Sequence, residues 1–102
     1  MPVISATQPN GQTMTEAEFR AQATANGFAD FLVKHYASDL DEPLHTHNFA
    51  VTLLVISGEF ALQFEDRKAI FQTGECYNLA ANVMHAERAG AQGAVALLAK
   101  KK

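Results

Sequence analysis

The stretch Leu44-His45-Thr46-His47-Asn48-Phe49-Ala50-Val51-Thr52-Leu53-Leu54-Val55-Ile56-Ser57-Gly58 decides how this chain folds. It is rich in β-branched residues and closes on Ser57-Gly58, a turn signal, so it predicts a strand from Leu44 to Ser57. Side chains two apart share one face of a strand. His45, His47, Phe49, Val51, Leu53 and Val55 therefore lie together, and their apolar majority points that face inward. Two imidazoles then occupy the open end of a buried face.

Downstream, short strands succeed one another at spacings of roughly 8–12 residues, the signature of a sandwich or closed barrel. Phe60, Leu62 and Phe64 alternate with polar or small neighbours, and Glu65 to Lys68 is a polar turn. Ala69 to Phe71, Cys76 to Leu79, His85 to Arg88 and Ala94 to Ala99 read as further strands. Gly74 and the Gly90 to Gly93 turn separate them. Upstream, Phe31 to Tyr36 reads as a strand, and Thr15-Glu16-Ala17-Glu18 fits a capping box opening one short helix that Asn26-Gly27 stops. Its weak apolar stripe is Phe19 and Ala23. Residues 1–14, with the Pro9-Asn10-Gly11 turn signal, read as an N-terminal arm, and residues 15–102 as a single domain with a barrel core at about residues 30–99.

The composition bounds the function. The chain has 102 residues, 48% of them hydrophobic, enough for one modest core. A net charge of −3 without a clustered basic surface argues against nucleic acid. The run Lys100-Lys101-Lys102 reads as a solvated tail. The single cysteine, Cys76, allows no intrachain disulfide. No apolar stretch approaches the ~20 residues of a membrane span, and the first residues lack the features of a signal peptide. The expectation is a cytoplasmic protein with no membrane partner.

A His-x-His pair alone is more often structural or exposed than ligating. Here a third nitrogen, from His85 at the start of a neighbouring strand, completes a facial set, and a metal would satisfy the polar nitrogens of otherwise buried rings. The wider pattern resembles the cupin family. His45-Thr46-His47 with Gly58 matches the first cupin motif, and Gly74-Glu75, the Ala80-Ala81-Asn82 turn and His85 match the second without insertion. Asn82 replaces the motif's glycine where a left-handed backbone is needed. The resemblance covers about residues 30 to 99. It implies a small single-domain cupin: an all-β double-stranded β-helix, or jelly-roll barrel, with one short N-terminal helix.

The departures are specific. The family's glutamate falls on Val51, its proline on Ala80, and the asparagine that usually comes after the histidine on Ala89. The resemblance therefore carries over only His45, His47 and His85 as ligands of one divalent transition metal: iron, zinc, nickel, manganese or copper. Some cupins, thiol and diketone dioxygenases among them, use iron on three histidines. For this chain the resemblance implies a metal-dependent enzyme of dioxygenase-like, isomerase or lyase chemistry on a small organic molecule. The alternatives are a non-enzymatic ligand-binding or sensor domain, and a metal that only braces the barrel.

Other side chains are weaker candidates. Glu87, two residues after His85, shares its face and is a candidate fourth ligand, orienting partner or general base, against the plainer reading of a rim carboxylate. Tyr77 is a candidate catalytic or substrate-binding group, against a core tyrosine. Gln63 reads as part of a solvated face, Cys76 as a buried inert thiol, and His35 as without function. Small size and the family resemblance imply a homodimer joined through the N-terminal arm and an edge strand.

Overall fold

The computed structural model describes residues 3–5 and 13–101. In chain order its elements are β1 (Val3–Ser5), α1 (Glu16–Ala25), β2 (Ala29–Tyr36), β3 (Ala50–Phe64), β4 (Lys68–Phe71), β5 (Cys76–Leu79) and β6 (His85–Lys101). Two long strands organise everything else. β3 and β6 pair antiparallel along nearly their whole length, from Ala50↔Lys101 to Phe64↔His85. On its other edge β3 pairs first with β5 and then with β4. The far half of β6 pairs with β2, and β1 runs parallel to β4.

The sequence predicts turns at Ser57-Gly58 and at Gly90–Gly93. Both are instead bends inside continuous strands, where the β3–β6 register shifts between Val55 and Ser57 and between Gly58 and Phe60. A bulge inserts an extra residue and flips which parity faces inward. In β3 the inward residues change from Leu53 and Val55 to Phe60, Leu62 and Phe64; in β6 they change from His85 and Ala89 to Ala94 and Ala96. Gly58 and Gly93 meet at this bend with φ +76° and +75°. A Cβ on Gly58 would overlap the Gly93 carbonyl oxygen. The bends fold the long ribbon so that residues from both halves of β3, with Phe71, Leu79 and Tyr36, share one core. This is the all-β barrel with one short helix that the sequence implies.

α1 covers an outer face of the barrel. Thr15 accepts from the Glu18 N–H and Glu18 accepts from the Thr15 N–H, which closes the capping box. Phe19 packs on Leu54 and Leu97, which point away from the main core, and its ring meets Phe31 edge-on. The Pro9-Asn10-Gly11 turn lies outside the described residues. The tail reading fails for Lys100 and Lys101: both belong to β6, and Lys101 Nζ donates to the Asn26 carbonyl at 3.0 Å.

Candidate metal centre

The strand predicted from Leu44 begins only at Ala50. His45 precedes it in an isolated antiparallel bridge to His85, where each N–H donates to the other's carbonyl at 2.8 and 2.9 Å. Directly opposed residues hold their side chains close, and the two rings stand 4.5 Å apart. His47 comes next in irregular backbone. Its carbonyl accepts from the Asn82 N–H at 2.7 Å, and Asn82 has the left-handed backbone the motif implies, φ 64°. Backbone hydrogen bonds thus fasten His45 to His85 and His47 to the turn that leads into His85.

The ligating nitrogens of the three histidines all lie within 4.8 Å of one another. His45 Nδ1 sits 2.9 Å from the Pro43 carbonyl, and His85 Nδ1 sits 2.8 Å from the Val83 carbonyl. A carbonyl oxygen only accepts, so both Nδ1 atoms carry a proton, and each neutral ring is left with its lone pair on Nε2. His85 is 1% exposed, while His45 and His47 are half-buried at the mouth. Burial, followed by the nearby His85 and His45, holds the His47 pKa below its usual value of 6.5. A neutral imidazole is the ligating form. The donor chemistry therefore fits a divalent metal.

These rings stand at the rim of a cavity of about 270 Å³. Val51, Leu53, Leu62, Leu79 and Leu98 line its apolar part, and Lys34, Glu42, Glu87 and Lys100 its polar part. Glu87 Oε2 accepts from the Tyr36 hydroxyl at 3.1 Å, and Oε1 accepts from Lys34 Nζ at 3.3 Å. Burial first, then the charge of Glu87, raises the Tyr36 phenol far above its usual range, so it remains a proton donor to this carboxylate. Tyr77 is elsewhere: its ring packs against Phe71 and Phe64 at 5.2 and 6.3 Å, among core side chains. Gln63 donates to the Phe64 and Arg67 carbonyls, Cys76 is half-buried with its thiol 3.5 Å from Met14 Sδ, and His35 is exposed. Glu42, Tyr36 and Lys34 join the site without having been singled out from sequence. Lys34 and Tyr36 carry one signal, two-residue spacing on a strand. Glu42 lies in irregular backbone and carries none.

No protein-family model matches the sequence, and no curated protein matches it. Solved structures do. A cupin-2 domain protein from Shewanella frigidimarina superposes with a TM-score of 0.58 at 19% identity, over 70% of this chain and 67% of the other. The fold is that of a small cupin domain. A Neisseria meningitidis protein superposes on this chain at TM-score 0.64 and 24% identity, over 74% and 76% of the two chains. The Fe(II) protein HppE, solved with its substrate, matches at TM-score 0.60 and 25% identity. The present chain covers 44% of that longer chain, and 71% of its own length is aligned.

Proposed function

We propose that this cupin holds one divalent transition metal on His45, His47 and His85 and uses it on a small organic molecule bound in the adjoining cavity. The observation that carries the reading is the pinning of His45 and His85 through Nδ1, which leaves both Nε2 lone pairs free within one cluster of nitrogens. When bound, the metal would supply Lewis acidity and open coordination positions, suited to dioxygenase-like, isomerase or lyase chemistry. The chain's own residues do the rest. The leucine-lined wall excludes water and holds a carbon skeleton. Lys34 and Lys100 favour an anionic group near the mouth. Tyr36 keeps a proton on its hydroxyl and holds the Glu87 carboxylate in place.

A second reading is a non-enzymatic sensor. It is favoured by Glu87, whose two oxygens are both engaged, by Tyr36 and by Lys34, so that neither is held ready to take a proton from a ligand. Glu87's engagement equally speaks against a metal that merely braces the barrel with this residue as fourth protein ligand. Dioxygen consumption in the presence of ferrous salt and a panel of small thiols, diketones and hydroxy acids separates the first two. Turnover that is lost in His47→Ala supports the enzyme. Saturable ligand binding without product supports the sensor.

We propose further that the protein is a homodimer. β2 has no strand partner on its outer edge among the described residues, and Leu32 and Val33 on it are 58% and 47% exposed. Two such edges can pair. Among the described residues no helix is long and apolar enough to cross a membrane. A cytoplasmic location is part of this proposal.

A further inference from the structure

His45 and His85 face each other as a hydrogen-bonded pair, each N–H on the other's carbonyl. In an antiparallel ladder such pairs recur at every second residue. The next pair along would join Pro43 to Glu87. It cannot form. Proline has no N–H to give the Glu87 carbonyl. The Pro43 carbonyl, which would take the Glu87 N–H, is turned instead to His45 Nδ1, 2.9 Å away.

Two side chains take the places that Pro43 leaves open. Glu42 Oε1 accepts the Glu87 N–H at 2.6 Å, and Arg88 Nη1 donates to the Glu87 carbonyl at 3.0 Å. The same Nη1 donates to the Glu42 carbonyl at 3.1 Å, and Arg88 Nη2 pairs with Asp41 at 3.5 Å. The segment that leads into His45 is thus fastened to β6 by side chains, and the Pro43 carbonyl remains for the imidazole. Glu42 Oε1 stands 3.9 Å from His45 Nε2. That is too long for a hydrogen bond, so the carboxylate does not draw the ring proton to Nε2. Without this carboxylate the Glu87 N–H is left unpaired, which is costly away from water. The acceptor in register with it is the Pro43 carbonyl.

We propose that Glu42 is a positioning residue of this centre: by taking the Glu87 N–H it leaves the Pro43 carbonyl to His45 Nδ1, and so keeps Nε2 as the ligating atom of His45. The effect on metal affinity rests on the metal reading above, whereas the tautomer that Glu42 fixes exists without a metal. What Glu42 supplies is an acceptor oxygen, not its charge. Glu42→Gln keeps such an oxygen and Glu42→Ala does not, which separates this role from that of a ligand or a counter-charge.

The test uses the purified full chain, stripped with chelator. Long-range proton–nitrogen NMR at mildly alkaline pH reads the tautomer of each imidazole, with His45→Gln assigning the His45 signals. Wild type and Glu42→Gln should hold His45 with its proton on Nδ1, and Glu42→Ala should show a mixture with the Nε2–H form. In titration with Co(II), affinity should fall about 10–100-fold in Glu42→Ala, the usual loss when a partner that orients a ligand is removed, and stay at the wild-type value in Glu42→Gln. A wild-type His45 with its proton on Nε2 overturns the proposal. So does a Glu42→Ala chain with wild-type tautomer and affinity, or a Glu42→Gln chain that loses both. The wild-type tautomer and the Glu42→Gln comparison decide the matter even where Glu42→Ala does not fold. A wild-type chain that binds no Co(II) overturns the metal reading, while the tautomers still decide the role of Glu42.

Discussion

Gly58→Ala probes the bend that makes a barrel out of a ribbon. Gly58 has φ +76°, and a Cβ there would overlap the Gly93 carbonyl oxygen and reach 3.0 Å from the Ala94 Cα. The left-handed backbone costs a residue with a side chain about 1–2 kcal/mol. The clash is with backbone on both counts, so no side chain can swing aside. Relieving it means separating β3 from β6 at their bulge, an overpacking cost of about 1–3 kcal/mol. The sum, about 2–5 kcal/mol, is a large share of the roughly 5–15 kcal/mol that stabilises a typical domain. Urea denaturation followed by circular dichroism measures it, with the midpoint falling and the slope unchanged. Gly93→Ala should cost somewhat less: it shares the positive φ, but its Cβ would meet the Tyr36 carbonyl oxygen at 2.8 Å. Gly90→Ala should stay within about 1 kcal/mol, since Gly90 has no positive φ and meets only the Glu59 side chain. A loss below about 1 kcal/mol for Gly58→Ala, or Gly90→Ala as the worst of the three, would show that the bend does not depend on this close approach.

The site and the edge give two more expected outcomes. The His47 pKa is held below 6.5 in the folded chain, so below pH 6.5 the unfolded chain takes up a proton that the folded chain refuses. Metal-free protein should therefore lose stability as pH falls from about 6.5 through the folded pKa and then level off. Urea midpoints across that window should flatten in His47→Gln, and an equally steep fall in the variant would assign the effect elsewhere. Val33→Lys places a charge on the exposed outer edge of β2 and should convert a dimer to a monomer in light scattering behind size exclusion. A wild-type chain that elutes as a monomer, or a variant that stays dimeric, contradicts pairing through that edge.

Much of the barrel was legible because alternation is a strong signal. The inward residues of β3 and β6, the capping box at Thr15 and the left-handed Asn82 all arise from local chemistry. Even the bends left a trace: the apolar parity changes from odd to even across Ser57-Gly58, and again across Gly90–Gly93. A parity change marks a bulge as readily as a turn, and glycine serves either, so strand continuity became visible only with the long β3–β6 pairing. The convergence of His45 and His85 is a tertiary fact, set by an isolated bridge between distant segments. Their spacing to the family motif indicated it, whereas strand geometry at His45 did not, since β3 starts five residues later. Glu42 and the Tyr36–Glu87–Lys34 contacts were hidden for the same reason. They join segments 45 to 53 residues apart, without periodicity at Glu42.

Whether the three histidines form a metal centre is decided by elemental analysis of the purified protein, repeated on His45→Ala. His45 is half-buried at the rim and the variant leaves the barrel core untouched, so its circular dichroism spectrum should match the wild type. The expected values are about one transition-metal ion per wild-type chain and a substoichiometric trace in the variant. A wild-type protein without metal after reconstitution, or a variant that retains it in full, would rule the centre out.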